Sequence, residues 1–115
     1  MRKCTRKAEA GFNMPACPFY VADYLGSARV AVMSLAEEGA YLRLLFYQWQ
    51  DGSVPHDLNA LAKLCRVSAA VMARLWVNVG PCFSPAPDEA GRLINEAMEV
   101  KRNEALRFRE KMTKA

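Results

Sequence analysis

The run from Met33 to Asp57, MSLAEEGAYLRLLFYQWQDGSVPHD, constrains this chain more than any other stretch, because it spells out a helix start, an apolar body, a stop and a second start. Ser34 can take the N-cap, its hydroxyl accepting from the Glu37 amide while the Glu37 carboxylate reaches back to the Ser34 amide, the reciprocal pattern of a capping box. Glu37 and Glu38 also sit where the positive end of the helix dipole favours negative charge. Beyond them Leu42, Leu45, Phe46 and Trp49 recur at three- and four-residue spacing, and Tyr41 and Leu44 widen the stripe, so the helix from about Leu35 to Gln50 should bury a broad face. Asp51-Gly52 ends it through the freedom of glycine at positive φ. Pro55 forbids continuation, and Asp57 can cap the next helix.

That next helix is short and amphipathic, with Leu58, Leu61, Leu64 and Cys65 on one face. Arg66-Val67-Ser68 makes a three-residue connection, and Ser68 can cap a further helix through about Asn78 that presents Val71, Leu75 and Trp76. Helix, three-residue turn, helix is the spacing of a helix-turn-helix unit. Gly80 and Pro81 break the third helix. Cys82-Phe83-Ser84 and Arg92-Leu93-Ile94-Asn95 then read as two short strands around the turn-rich 85–91 segment, so this hairpin would be a wing. From Glu96 the pattern is helical again, with Ala97, Val100, Glu104 and Phe108 on the stripe. Upstream, Pro15 and Pro18 restrict the backbone before Phe19-Tyr20-Val21, an extended packing segment whose aromatics should dock on the core, and residues 23–26 follow as a turn or short helical piece. The expected fold is mainly α: a winged-helix-like helical domain with a short β-hairpin over residues 14–98, a flexible basic arm over 1–13, and a basic C-terminal helix over 99–115.

At 115 residues the chain suits one domain and can bury a core unaided. Its 52% hydrophobic and 24% charged content is that of a folded globular protein. No apolar run follows Arg2 and Lys3, so neither a signal peptide nor a membrane span is expected, and the cytoplasm is the expected compartment. Cys4, Cys17, Cys65 and Cys82 are scattered, and His56 is the only histidine. Zinc sites use closely paired ligands, so reduced thiols are expected, Cys65 and Cys82 as small buried apolar residues and Cys4 and Cys17 at the surface. No phosphate-cradling glycine loop, nucleophile elbow or metal motif is present, so neither catalysis nor a cofactor is expected. Glu37 and Glu38 point about 100° apart on a helix and read as capping residues rather than an acid/base pair. His56 reads as a turn residue.

Phe19-Tyr20-Val21-Ala22-Asp23-Tyr24-Leu25, then Glu38-Gly39-Ala40-Tyr41 followed by Leu44, Trp49, Gly52 and Pro55, resembles the YdaU-like family of prophage proteins, a domain of unknown function often found among phage replication genes. The resemblance spans roughly residues 18–99, and the chain departs from it at Ala28-Arg29-Val30-Ala31-Val32, which is more apolar than the family pattern. It implies a small helical domain with a winged-helix-like core and an association with replication initiation or helicase loading. It brings no catalytic residues.

The net charge of +4 is placed unevenly. Residues 1–10 carry Arg2, Lys3, Arg6 and Lys7 against Glu9. Residues 99–115 carry Lys101, Arg102, Arg107, Arg109, Lys111 and Lys114 against Glu99, Glu104 and Glu110, while the body between holds six basic and eight acidic residues. Two nucleic-acid surfaces are therefore candidates. One is the second helix of the helix-turn-helix, where only Arg74, Asn78 and the preceding Arg66 have chemistry for phosphates or base edges. The other is the C-terminal helix, whose Lys101, Arg102, Arg107, Arg109 and Lys111 could lie along phosphates without regard to sequence. Its interleaved glutamates also suit a merely solvated face, as with Glu110 and Lys114 at ion-pair spacing. On the long helix, Arg43, Tyr47 and Gln50 share a side with Gly39 and are candidates for a protein partner. The blander reading has Gly39 permitting close packing inside the domain and Arg43 pairing with a carboxylate.

The expected function is a non-catalytic phage or prophage DNA-replication accessory that binds DNA weakly and non-specifically through its basic ends and recruits a replication protein. The alternative is a protein-only interaction module, such as a phage inhibitor of a host enzyme or defence complex. The C-terminal helix would also be the route to a homodimer. A transcriptional repressor is disfavoured by the apolar character of the helix-turn-helix's second helix.

Overall fold

The computed structural model describes residues 14–114. The basic arm expected over residues 1–13, with Cys4, lies outside the described residues. Among the described residues six α-helices and three short strands follow in the order α1 (Val21–Leu25), α2 (Ala28–Ala31), α3 (Leu35–Asp51), β1 (Val54–Pro55), α4 (Leu58–Cys65), α5 (Ala69–Val79), a 3-10 turn at Gly80–Cys82, β2 (Ser84–Pro85), β3 (Arg92–Ile94) and α6 (Glu96–Lys114). The mainly helical architecture with a small sheet and a C-terminal helix is as expected from the sequence, with α3, α4 and α5 followed by the strands β2 and β3.

The helix starts are written by local hydrogen bonds. At α3 the Ser34 hydroxyl accepts from the Glu37 amide at 3.1 Å and the Ser34 amide donates to Glu37 Oε1 at 2.7 Å, completing the capping box. The helix ends at Gly52, whose φ of 95° suits a residue without Cβ. Asp57 caps α4 through the Ala60 amide at 2.9 Å, and Ser68 caps α5 through the Val71 amide at 3.2 Å. Between these two helices Arg66 adopts φ 62°, the left-handed conformation that lets the chain reverse within the short connection.

Helix α3 is the hub, packing on α4, α5 and α6. Its buried face is Ala40, Leu44, Leu45, Gln48 and Trp49, which meets Val54, Leu61, Met72, Val79, Leu93 and Met98 in one core. Each fully buried Leu or Val here contributes about 1.5–3 kcal/mol of transfer free energy. The phase differs from the sequence reading: Phe46 is 49% exposed, Leu42 is half-buried, and polar Gln48 takes a core position. The physical reason is a reciprocal tether. Gln48 Nε2 donates to the Asn95 carbonyl at 3.0 Å and the Asn95 amide donates to Gln48 Oε1 at 2.7 Å, so the side-chain amide substitutes for a strand partner and turns that face inward.

The sheet has one more strand than the sequence suggested. Order β1-β3-β2 is antiparallel throughout, pairing Val54 with Leu93 and Ser84 with Ile94. The prolines Pro55 and Pro85 lie on the two edge strands, where a missing N–H is tolerated. The first wing strand begins at Ser84 rather than Cys82, because Gly80–Cys82 forms the 3-10 turn. Gly80 is needed there for space: a Cβ would sit 2.7 Å from the Trp76 indole nitrogen.

Three further expectations are corrected. Val21 starts a helix instead of continuing an extended segment, and Phe19 and Tyr20 remain exposed rather than docking on the core, Phe19 meeting only the Tyr24 ring among the ring contacts, at 5.2 Å. Within the apolar 28–32 segment, which carried no expectation of its own, Ala28–Ala31 forms the short helix α2, capped by Ser27, and buries Val30. On α6 the stripe of Ala97, Val100, Glu104 and Phe108 faces outward, while Met98 and Arg102 are buried with Ala105 half-buried beside them. Arg102 is 1% exposed and its Nε donates to the Trp49 carbonyl at 2.8 Å, so an arginine occupies the centre of the inward face.

Candidate functional site

The surface that a winged helix would turn towards DNA is poor in cations. On α5 the outward residues are Ala69, Ala70, Ala73, Arg74 and Val77, the last 71% exposed. Arg66 is exposed in the preceding turn. Asn78 faces elsewhere, its amide donating to both carboxylate oxygens of Glu37 at 3.1 Å, and is therefore a tether between α5 and α3 rather than an open base-edge reader. The wing carries Asp88 and Glu89, while Arg92 at its base is locked onto Ser53, with Nε to Oγ at 2.9 Å and Nη2 to the carbonyl at 3.0 Å. Two arginines beside an acidic wing are a thin footprint for a polyanion.

The cations of α6 sort by burial. Arg107 and Lys111 are exposed and Lys101 is half-buried. Arg102 belongs to the core, and its assignment to nucleic acid is corrected on that ground. Arg109 is half-buried, with Nη1 enclosed and making no hydrogen bond. The described part of the C-terminal footprint is thus Lys101, Arg107 and Lys111.

Beside Lys101 the N-terminal segment builds an aromatic cluster that sequence reasoning missed. Lys101 Nζ lies 5.0 Å from the centroid of the Tyr20 ring. From Phe19 a chain of ring contacts runs inward through Tyr24, Tyr41 and Phe83 to Trp76, with centroid separations of 5.2–6.3 Å. A cavity of about 180 Å³ opens here, lined by Phe19, Tyr20, Asp23, Tyr24 and Lys101 among others. The Tyr24 hydroxyl donates to Glu38 Oε1 at 2.7 Å; burial first, then this bond and the carboxylate's charge, push its pKa well above the usual phenol range. Burial likewise raises Tyr41. These phenols stay neutral and serve as walls. A Tyr-rich run beginning at Pro18 was the available signal, but whether its rings turn inward or outward depends on where α6 passes.

A third surface lies on α3. Arg43, Tyr47 and Gln50 come together as expected, with Gly39, Leu42 and Phe46, around a shallow groove of about 450 Å³. Gly39 is exposed and no described atom lies within 4 Å of where its Cβ would be, so close packing inside the domain is not its role among the described residues.

Among the described residues no group of three or more His, Cys, Asp or Glu side chains could hold a metal ion. Cys17, Cys65 and Cys82 are free, half-buried thiols, Cys17 less open than expected, and burial pushes all three up. No described helix is long and apolar enough to cross a membrane.

Comparison with known proteins places residues 16–101 in a family described as protein of unknown function (DUF1376), and the chain belongs to that family. It is similar to the uncharacterized protein YdaU of Escherichia coli (strain K12), with 40% identity over 79 residues. That match covers 66% of this chain and 25% of the relative, so the chain spans about a quarter of the curated relative it matches. No solved structure matches.

Proposed function

We propose that this member of the DUF1376 family is a non-catalytic, cytoplasmic accessory of phage or prophage DNA replication, holding nucleic acid weakly through α6 and recruiting a replication protein through the groove on α3. The observation that carries the nucleic-acid half is the sorting of cations: Lys101, Arg107 and Lys111 reach solvent along one helix, whereas α5 and the turn before it offer Arg66 and Arg74. A helix bearing exposed cations between glutamates binds phosphates without reading sequence, by counterion release. On the protein side, Tyr47 and Arg43 flank Leu42 and the exposed Phe46, and tyrosine and arginine are favoured interface anchors. The replication assignment itself rests on the resemblance to prophage proteins found among replication genes.

The test is binding to labelled single-stranded and duplex DNA of unrelated sequences across a salt series. The Lys101→Ala/Arg107→Ala/Lys111→Ala variant should lose binding, and Arg66→Ala/Arg74→Ala should keep it. Three duplex phosphate contacts would give a slope of about −2.7 in log K against log salt.

A second reading, a protein-only module that captures a host enzyme or defence complex, draws on the apolar outward face of α5 and the acidic wing. No binding to either DNA at low salt would favour it and sink the first.

A further inference from the structure

Aromatic rings and ammonium groups alternate along one edge of the molecule. Phe19 and Tyr20 are 39% and 57% exposed, and Lys101 stands over the Tyr20 ring. Seven residues further along α6, two helical turns and so roughly 10 Å away on the same side, Phe108 is 65% exposed, with Lys111 on the next turn. Exposed aromatic faces beside cations fit a ligand that carries flat rings and negative charge together. In a duplex the ring faces are already stacked on one another. In a single strand they are free, and each base can stack on a side chain without regard to its identity.

We infer that Tyr20 and Phe108, with Lys101 and Lys111 beside them, form a base-stacking track for single-stranded nucleic acid. The inference rests on the proposed nucleic-acid contact of α6 and specifies which form of nucleic acid that contact takes. The cavity lined by Phe19, Tyr20 and Tyr24, about 180 Å³, is too small to enclose a nucleoside, so a base would stack on the exposed Tyr20 ring rather than enter it. Lys101 is already paired with the Tyr20 ring, so a base arriving on that face frees the ammonium for the neighbouring phosphate. Phe108 sits about two nucleotides further along an extended strand and takes a second base. Asp23 in the cavity lining and Glu104 on the same side of α6 offset part of the positive charge. Affinity therefore depends on stacking more than on charge. With two phosphates contacted, log K should fall against log salt with a slope near −1.4 for a single strand.

The experiment compares the full chain's binding, by fluorescence anisotropy at low salt, to three labelled probes: oligo-dA, an abasic oligomer of the same length, and a duplex. Wild type is set beside Tyr20→Ala, Phe108→Ala and the ring-preserving Tyr20→Phe; circular dichroism verifies folding. The expected result is oligo-dA bound more tightly than the abasic oligomer and the duplex. Each alanine variant should weaken oligo-dA by roughly five- to hundred-fold with little effect on the abasic probe, and Tyr20→Phe should bind like wild type. Equal binding of oligo-dA and the abasic oligomer, unmoved by either alanine, would overturn the stacking track and leave the α6 contact standing. Failure of all three probes to bind would overturn the nucleic-acid reading itself, and the track with it.

Discussion

Helices α5 and α6 were both candidates for nucleic acid, and the structure separates them by opposite means. Helix α5 is the second helix of the α4–α5 pair, where a helix-turn-helix would carry its recognition helix, but turns alanines and Val77 outward, with Arg74 and the preceding Arg66 as its exposed cations. Helix α6 carries many cations but hides Arg102 in the core and half-hides Arg109. A topology that can place a helix in a groove does not give that helix the groups to read one. A count of basic residues likewise overstates an electrostatic footprint when one of them is a core residue. Burial, which sequence position alone does not fix, decides what remains available.

The sharpest test of that separation is Arg102 against its neighbours. Replacing Arg102 with Ala removes a packed stem and leaves the Trp49 carbonyl without its 2.8 Å donor. The expected loss is about 2–4 kcal/mol, measured by urea unfolding. Arg102→Met keeps most of the volume and should cost about 1–3 kcal/mol through the orphaned carbonyl. Exposed Arg107→Ala and Lys111→Ala should fall within about 0.5 kcal/mol of wild type. If Arg102→Ala left stability unchanged while weakening DNA binding, the inward assignment would be wrong.

Helix α5 is tested through its inner side. Gly80→Ala would drive a methyl group to 2.7 Å from the Trp76 indole, which stacks on Phe83 at 6.0 Å between centroids. Overpacking of this kind costs typically about 1–3 kcal/mol, and near-ultraviolet circular dichroism should report the moved tryptophan. A thermal midpoint equal to wild type would mean that Trp76 repacks freely, and α5 would then be a less rigid platform than its contacts indicate.

The two helices also differ in how far the sequence could describe them. Ser34, Asp57 and Ser68 are legible as caps because each bonds an amide three residues away, so the signal and its partner share one short window. Strand β1 was not legible. It is two residues long, contains Pro55, and exists only because β3, far along the chain, supplies its partners. The phase of α6 was misread for a related reason. Arginine at the centre of a face looks like surface until a carbonyl from another helix is there to receive it, and Val100 and Phe108 then supply the more obvious apolar stripe. Of the candidate site, the Arg43–Tyr47–Gln50 side of α3 was legible from helical spacing, whereas the Tyr20–Lys101 pairing joins two segments that no local pattern connects.

The smallest expected effect concerns Asn78, the residue of α5 most suited by type to read a base and here bound to Glu37. The Ser34 backbone amide, foremost, and then the Asn78 side chain hold the Glu37 carboxyl below its ordinary value of 4.5. A depressed folded-state pKa stabilises the protein above the unfolded value, and the contribution disappears as pH falls through the folded value. Glu37→Gln removes the titrating charge, so wild type should have the higher melting midpoint at pH 7. The gap should close on acidification below about pH 4 as the wild-type carboxylate is protonated. Asn78→Ala should reduce the same pH-dependent gap in part, while leaving DNA binding as it was. An Asn78→Ala protein with wild-type acid stability and weakened DNA binding would return Asn78 to the nucleic-acid surface and erase the contrast between α5 and α6.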